Sequence, residues 1–335
     1  MPHAPFDHRD LPGAAGSSGA SAPRPAPAPQ PAKGARGAVT DNALGSAWMA
    51  MSVLAASAMV LSVRAMSEGL DSRMTVLLRS IGVLICLAPL LALPNLRRQI
   101  RFSSPRLHLI RGGLIAVSTQ FGFYAIAHLP LATATVLSFT APIFATLLAV
   151  PLNGEKVGVR RWSAVGAGFL GALIILRPGA GGFDMAMLAA ILAAVLFALA
   201  LAMSRGVAAA DGPMASLISA NLLTALVALP LALPVWGMPA TGGAWAIFVL
   251  LVASSGLRSL GDLQAYRHGD ASVMGAITYI RLVLIAIAAW AFFEETPDGP
   301  TLLGGGIIIA STLYIAYRER AAKRAARRDA AAAPA

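Results

Sequence analysis

Residues 107–152 read LHLIRGGLIAVSTQFGFYAIAHLPLATATVLSFTAPIFATLLAVPL, with Arg111 as their one charged side chain. The short segment His128-Leu129-Pro130-Leu131 divides them into two apolar blocks, 107–127 and 132–152. In a helix, about 20 apolar residues cover the hydrocarbon core of a bilayer, which is roughly 30 Å thick. Because so short a connection forces its neighbours to run antiparallel, the stretch predicts a transmembrane helical hairpin.

Similar apolar blocks occupy most of the rest of the chain. Of the 335 residues, 57% are hydrophobic and 12% are charged, whereas about a quarter of the residues of a soluble domain are charged. The mean hydropathy is +0.71. We therefore predict an all-α polytopic membrane protein with ten transmembrane helices, which occupy approximately residues 43–63, 74–94, 107–127, 132–152, 160–177, 184–204, 214–236, 243–266, 271–293 and 300–317.

The basic residues predict the orientation of these helices. Residues 1–41, rich in Ala, Pro, Gly and Ser, are expected to be a disordered cytoplasmic tail, and residues 318–335 a basic cytoplasmic tail. With both tails inside, 19 Lys and Arg lie on the cytoplasmic side, and only Arg64, Arg73 and Arg177 lie in outside loops. The positive-inside rule then predicts a multi-pass protein of the cell inner membrane with both termini cytoplasmic. This distribution explains the net charge of +11 without a nucleic-acid partner.

Two segments of the chain match each other in layout. Residues 132–177 align without a gap with residues 271–316, so that Glu155 meets Glu294. Five blocks in each half is an odd number, so the second copy must be inverted relative to the first. We therefore expect two inverted five-helix repeats, 42–177 and 178–317, an arrangement typical of secondary transporters. The alternative, that any two apolar hairpins align this well, stays open.

Several short motifs follow one another in a fixed order along the chain. They are Ala125–Ala134, Phe139–Phe144, Gly154-Glu155, Gly166–Phe169, Gly269–Ser272, Glu294 and Gly304–Gly306. Their order and spacing resemble the EamA family of the drug/metabolite transporter superfamily, which implies a ten-helix carrier over residues 43–317. The segment Tyr279-Ile280-Arg281-Leu282-Val283, with Arg281 where the first copy has Pro142, is similar to the riboflavin and S-adenosylmethionine carrier branch of that family.

Ionisable side chains at membrane depth normally face a cavity or a partner. Arg258 and Asp262 are spaced i,i+4, so they share one face of the eighth helix. Arg281 falls near the midplane in the ninth helix, where it is expected either to pair with Asp262 or to bind an anionic group of a substrate. For Arg258 and Asp262 the alternative is a structural ion pair. Arg79, near a helix end, is expected to extend to the outer surface.

Polar and aromatic residues complete the set of candidate cavity residues. Gln120, Tyr124 and His128 follow one another at intervals of four and form a polar stripe on the third helix, and Tyr279 offers a ring for stacking. The alternative for the stripe is hydrogen bonding between helices. The candidate substrate-binding residues are therefore Arg281, Asp262, Arg258, Tyr124, Gln120 and Tyr279.

These residues favour a secondary transporter that works by alternating access. The excess of arginine among the deep charges favours riboflavin or another polar or anionic, ring-containing metabolite. The alternatives are a non-transporting membrane scaffold and an intramembrane enzyme. The sequence contains neither His-Glu-x-x-His nor Gly-x-Ser-x-Gly, and it has one cysteine, Cys86. We therefore expect no catalytic residues, no metal and no cofactor. The expected partners are a small molecule and the lipid bilayer, with a homodimer as a candidate assembly.

Overall fold

Helices make up almost all of the part of the chain that the structure describes. A computed structural model describes residues 42–91, 100, 102–153, 159–177, 184–269 and 271–332. The predicted tail 1–41 and the motif residues Gly154, Glu155 and Asp270 lie outside these ranges. We call the membrane-crossing segments spans 1 to 10. Their helices are Asn42–Met66 (span 1), Ser72–Leu91 (span 2), Pro105–His128 (span 3), Leu131–Ser138 and Ala141–Asn153 (span 4), Val159–Leu176 (span 5), Met185–Ala232 (spans 6 and 7), Gly242–His268 (span 8), Ala271–Thr278 and Ile280–Phe293 (span 9) and Gly299–Ala332 (span 10).

The predicted all-α membrane fold is confirmed. Within the described ranges, nine helical segments are at least 18 residues long and apolar enough to cross a membrane. The shorter apolar helix Trp162–Leu176 supplies the remaining crossing, in span 5. A kink at Gly212 separates spans 6 and 7. The backbone there has φ 80° and ψ 166°, a conformation that glycine adopts far more readily than residues with a side chain. The last helix continues beyond the membrane to Ala332.

Span 4 is broken in its middle, and Pro142 explains the break. Proline has no N–H, and its ring clashes with the carbonyl four residues earlier, which belongs to Ser138. The first half of the span accordingly ends at Ser138. The N–H groups of Phe139 and Thr140 then donate to carbonyls three residues back, at 3.0 and 3.1 Å, which is the spacing of a 3-10 turn. The kink expected at Pro142 is therefore an interruption of the helix.

Span 9 is also interrupted, although it contains no proline. Its two helices meet at Tyr279, and the N–H of Leu282 donates to the Tyr279 carbonyl, three residues back, at 3.1 Å. The span predicted over 271–293 is present, and it consists of two helices that join at Tyr279. Under the repeat alignment, Tyr279 corresponds to Thr140. The two halves of the protein therefore break at equivalent positions.

The packing of the spans follows the symmetry of an inverted repeat. Span 1 packs on span 8, and span 3 packs on span 6, where the Ser118 hydroxyl donates to the Ala193 carbonyl at 2.8 Å. Span 1 corresponds to span 6 in the other repeat, and span 8 corresponds to span 3. The pair of spans 1 and 8 is therefore equivalent to the pair of spans 6 and 3. Spans 2 and 7, 4 and 9, and 5 and 10 also pack together, and each of these pairs is its own counterpart. The two five-helix units are therefore interleaved.

The contacts between connections define two faces of the molecule. Face A carries the connections after spans 1, 3, 5, 7 and 9, and there Leu70 contacts Gly237. Face B carries residue 42 and the connections after spans 2, 4, 6 and 8. On face B, Gly45 lies against Gly269. The start of span 1 and the end of span 10 therefore share face B, as an even number of crossings requires.

Spans 5 and 10 touch through their backbones. A Cβ atom on Gly304 would lie 2.5 Å from the Gly171 carbonyl oxygen, and one on Gly171 would lie 2.8 Å from the Gly304 oxygen. Small residues allow such an approach, which strengthens helix packing in lipid. By contrast, a Cβ atom on Gly166 or Gly306 would have no neighbour within 4 Å among the described residues.

The pair Gly304 and Gly306 offers a matched test of this contact. Gly304→Ala should lower the thermal unfolding midpoint in detergent by several degrees, because the new methyl group meets backbone that cannot rotate away. Gly306→Ala should leave the midpoint unchanged or raise it, since alanine favours a helix over glycine by about 1 kcal/mol. Equal midpoints for the two variants would contradict the backbone contact.

Candidate functional site

Span 8 presents its two ionised groups to span 1. Arg258 Nε lies 3.8 Å from Asp262 Oδ2, as the i,i+4 spacing predicted. The Ser52 hydroxyl of span 1 contacts both the Asp262 carboxylate and the Arg258 carbonyl. Gly261 makes this possible, because a Cβ atom there would lie 2.9 Å from Ser52 Cβ. The side chains of Arg258 and Asp262 remain 34% and 39% exposed, so the pair is not sealed inside protein.

Arg281 lies where the two broken spans cross. Its Nη2 is 3.5 Å from the Ser138 hydroxyl, and its Cζ lies 4.8 Å from the centre of the Phe139 ring. Phe139 in turn packs against Tyr279, with ring centroids 5.0 Å apart. The interruptions of spans 4 and 9 therefore bring a cation and two aromatic rings together.

Arg79 does not extend to the outer surface as the sequence suggested. Its guanidinium lies over the Phe123 ring of span 3, 5.4 Å from the ring centre, and its Nη2 donates to Ser80 at 3.2 Å. Cation–π contacts of this kind stabilise an arginine that has left bulk water. The rotation of span 2 about its axis, which hydropathy does not encode, decides this placement.

Three arginines and one carboxylate lie within spans 2, 8 and 9, and we call Arg79, Arg258, Arg281 and Asp262 the arginine cluster. Among the described contacts, Asp262 pairs with Arg258 and not with Arg281 within 4.0 Å. Of the two alternatives that the sequence leaves open for Arg281, pairing with Asp262 is therefore not the one seen in this structure. The cluster carries three positive charges and one negative charge.

Several buried polar atoms on spans 2, 3, 8 and 9 have no hydrogen-bond partner among the described residues. They are Arg79 Nε, Arg281 Nε, Gln264 Oε1 and both amide atoms of Gln120. Buried polar groups are nearly always hydrogen-bonded, and exceptions call for water or a ligand. Gln120 lies three residues from Phe123, and therefore on the side of span 3 that carries Arg79. Its amide offers one free donor group and one free acceptor.

The predicted polar stripe of span 3 divides into two environments. The Tyr124 ring is 37% exposed and packs on the His128 ring at 4.1 Å between centroids. His128 Nδ1 is 2.8 Å from the Tyr124 carbonyl oxygen. None of the described contacts connects Tyr124 with the arginine cluster. A cavity role for Tyr124 therefore stays a prediction, with less support than the role of Gln120.

Some site residues could not be recognised in the sequence. Ser52, Ser138 and Phe123 are common residue types in membrane helices, and only the packing of spans 1, 3 and 4 brings them to the charged groups. The available signal was weak: Ser138 stands four residues before Pro142, where the helix must end. Within the described ranges, no group of three His, Cys, Asp or Glu side chains is placed to hold a metal.

A second buried polar cluster lies at face B. His108 Nε2 is 3.0 Å from Asp211 Oδ2, and His108 Nδ1 is 2.9 Å from the Ser219 hydroxyl oxygen. The Ser103 N–H also donates to Asp211, at 2.8 Å. Hydrogen bonds from Ser103 lower the pKa of Asp211 to about 2, so the carboxylate is ionised at neutral pH. The cluster ties the start of span 3 to the connection between spans 6 and 7.

Face A is held together by ion pairs between the two repeats. Arg64 of span 1 pairs with Glu295 at 2.7 Å and donates to the Ala127 carbonyl at 2.8 Å. The other Glu295 oxygen accepts the Leu131 N–H, the first of span 4, at 2.7 Å. Next to this pair is a cleft of about 450 Å³. The cleft is lined by Arg64, Ser67, Glu68, Ala127, Phe292, Phe293 and Glu294.

The other two arginines of the predicted outside loops are also paired. Arg177 at the end of span 5 pairs with Asp298, which accepts the Thr301 N–H at 2.9 Å and so caps span 10. Arg73 pairs with Asp71, at 2.9 Å, within one connection. Glu294 ends span 9 in a left-handed conformation, with φ 55°.

Comparisons with known proteins agree with this architecture. The family model of the EamA-like transporter family matches residues 43–177 and 184–317. The chain is 32% identical to an S-adenosylmethionine uptake transporter of Rickettsia bellii, over 83% of this chain and 95% of that protein. It is 30% identical to a riboflavin transporter of Vibrio cholerae, over 82% and 93%.

A solved crystal structure has the same fold. It superposes with a TM-score of 0.55 over 81% of this chain and 95% of the other, at 21% sequence identity. At that identity the likeness concerns the fold alone. The family assignment rests instead on the model match, which spans both repeats. The chain therefore belongs to the EamA-like transporter family.

Proposed function

We propose that this small-metabolite transporter moves a polar or anionic, ring-containing metabolite across the inner membrane, with riboflavin as the first candidate. The observation that carries the proposal is the arginine cluster beside the paired rings of Phe139 and Tyr279, at the crossing of the two broken spans. Broken helices at the interface of inverted repeats are where secondary transporters bind their substrates. The riboflavin transporter among the relatives supports the same class.

S-adenosylmethionine is the second candidate substrate. The Rickettsia relative is named as its uptake transporter, and the molecule also carries a ring. The Asp262 carboxylate favours it, because that group could pair with a positively charged centre on a ligand. The three arginines disfavour it for the same reason, since they outnumber the single carboxylate.

Alternating access fits the ion pairs of face A. In the structure, Arg64–Glu295 and Arg177–Asp298 each join the first repeat to the second at this face. We propose that these pairs form when face A is closed and separate when it opens. In the orientation that we propose, both termini are cytoplasmic and face A is external. Residues 42–177 and 178–317 are then the moving units, with a homodimer as a candidate assembly.

Transport of riboflavin into proteoliposomes tests the proposed site. Arg281→Ala and Asp262→Asn should each lower the initial rate by about tenfold, because a hydrogen bond to a charged group contributes roughly 1.5–3 kcal/mol. Arg73→Gln removes an arginine that pairs with Asp71 at face A and belongs to no part of the proposed site, so it serves as the control. Normal rates in both site variants, with normal insertion, would exclude these residues from the mechanism.

The gate at face A is tested by labelling a cysteine behind it. Ala289, which is 1% exposed, lies one turn before the end of span 9, so Ala289→Cys in a Cys86→Ser background reports opening. An ion pair at this exposure contributes about 1 kcal/mol. Glu295→Gln, which keeps the shape but removes the charge, should therefore raise the rate of labelling by an impermeant maleimide about fivefold.

Asp71→Asn is the matched control for the gate. It removes the charge of an ion pair on the same face. Asp71 and Arg73, however, are two residues apart in the first repeat, so their ion pair does not link the two repeats. The labelling rate should stay at the value of the parent protein. If Asp71→Asn and Glu295→Gln accelerated labelling equally, general loosening of face A would explain the result, and the gate would be excluded.

An intramembrane enzyme has one observation in its favour. Ser219, His108 and Asp211 form a hydrogen-bonded chain of the residue types used by serine hydrolases. The side chains of His108 and Asp211 are, however, 5% and 1% exposed, so a substrate cannot reach them. The arrangement therefore supports a structural role at face B.

Assays on the purified protein distinguish an enzymatic role of Ser219, His108 and Asp211 from a structural one. We expect that p-nitrophenyl acetate is hydrolysed no faster by the parent protein than by Ser219→Ala. Asp211→Asn should instead lower the thermal midpoint, because His108 and the Ser103 N–H lose an ionised acceptor. Turnover that disappears in Ser219→Ala would contradict the structural role and favour the enzyme.

A further inference from the structure

The Asp262 carboxylate is held on one side and open on the other. Its Oδ1 contacts the hydroxyl of Ser52 in span 1, a residue that is 3% exposed, whereas the side chain of Asp262 is 39% exposed. Its Oδ2 lies 3.8 Å from Arg258 Nε, which is beyond hydrogen-bond distance. One oxygen is therefore hydrogen-bonded to the first repeat, and the other has only a longer ion pair within its own helix.

The Ser52 hydroxyl donates its proton to this carboxylate. Its oxygen also lies 3.2 Å from the Arg258 carbonyl oxygen, so two acceptors compete for one proton. Arg258 is inside the helix of span 8, where a carbonyl already accepts the N–H four residues later. A hydrogen bond to an ionised acceptor is roughly twice as strong as one between neutral groups. Ser52 is therefore the residue that sets the position of the carboxylate.

Backbone contacts fix the place of this hydrogen bond. A Cβ atom on Gly261 would lie 3.1 Å from both the Cα and the N atom of Ser52. Nearer to face B, a Cβ atom on Gly45 would lie 2.7 Å from Gly269 Cα. Spans 1 and 8 thus touch through their backbones over this half of the membrane. Because Ser52 is anchored in that contact, its bond to Asp262 lasts only while the two spans stay together.

The equivalent interface of the repeat, between spans 3 and 6, carries no such charge. Ser118 joins these spans, because its hydroxyl donates to the Ala193 carbonyl at 2.8 Å. A Cβ atom on Gly122 would lie 3.8 Å from Ala193 Cβ, whereas one on Gly261 would lie 2.9 Å from Ser52 Cβ. A serine bridges the repeats at both interfaces, and in the described contacts Ser52 alone of the two engages an ionised group.

We propose that Ser52 is a positioning residue for transport, which holds Asp262 towards span 1 while spans 1 and 8 are in contact and releases it when they separate. The inference rests on the alternating access of the proposed function, since Ser52 belongs to the first repeat and Asp262 to the second. The released carboxylate is free to pair closely with Arg258 or to bind a cationic or hydrogen-donating group of the metabolite. The charge of span 8 therefore changes partners whenever the repeats move.

A buried cysteine between these spans reports their separation without any substrate. Ala265 is 0% exposed and packs in one cluster with Met49 of span 1. Ala265→Cys in a Cys86→Ser background should therefore react with a maleimide only when spans 1 and 8 part. Ser52→Ala should raise the labelling rate of the purified protein about tenfold, because it removes a hydrogen bond to a charged group.

A double-mutant cycle in this background shows whether Ser52 acts through Asp262. Asp262→Ala should accelerate labelling as Ser52→Ala does, and the double variant should label no faster than Asp262→Ala, because the hydroxyl has lost its charged acceptor. Ser118→Ala is the matched control, since it removes a serine bridge without a charge, and its rate should stay within about twofold of the parent. Multiplied single effects, an equal effect of Ser118→Ala, or no effect of Ser52→Ala would each overturn the proposal.

Riboflavin transport into proteoliposomes separates this inference from the proposed function. Ser52→Ala should lower the initial rate, and the loss should disappear in the Asp262→Ala background. If labelling follows the predicted cycle but riboflavin does not cross, Ser52 still positions Asp262 and the proposed substrate is wrong. If riboflavin crosses and Ser52→Ala labels and transports as the parent does, the proposed function stands and the positioning role fails.

Discussion

The cost of holding unneutralised charge inside a membrane is the constraint on which the rest of this structure depends. Of the three guanidiniums, Arg258 pairs with the Asp262 carboxylate, whereas aromatic rings stabilise the other two, Phe123 beneath Arg79 and Phe139 beneath Arg281. Each of these contacts is worth on the order of 1 kcal/mol, which is less than the cost of a charge at membrane depth. Under the proposed function, the transported metabolite supplies a counter-charge.

The inverted repeat supplies the geometry for that cluster. Spans 4 and 9 cross, and each is interrupted where it crosses, so the middle of the membrane contains helix ends as well as side chains. In span 4 the interruption follows from the missing N–H of Pro142. Span 9 has Arg281 at the equivalent position, so one copy carries the residue that breaks the helix and the other carries the charge. This difference between Pro142 and Arg281 makes the two copies chemically unequal, which allows a site between symmetric repeats to be specific for a substrate.

Most of the fold could be predicted from hydropathy because lipid demands long apolar helices. The described ranges contain nine such helices and a shorter apolar one, Trp162–Leu176, near the predicted blocks. The break near Pro142 was also predictable, whereas the break at Tyr279 has no sequence signal that we can identify. The site was only partly predictable. The i,i+4 pair of Arg258 and Asp262 follows from helix geometry alone, but the inward placement of Arg79 depends on how span 2 is rotated, and composition does not record that rotation.

The ion pairs of face A and the buried cluster of face B complete this picture. Arg64 and Glu295 join the two repeats at one face, and His108 and Asp211 join them at the other. The proposed substrate site at the crossing of spans 4 and 9 is the central claim, and a density map of the protein with riboflavin tests it most directly. We expect ligand density with the ring beside Phe139 and Tyr279 and within reach of Arg281. Density confined to the cleft beside Glu294, with that crossing empty, would contradict it.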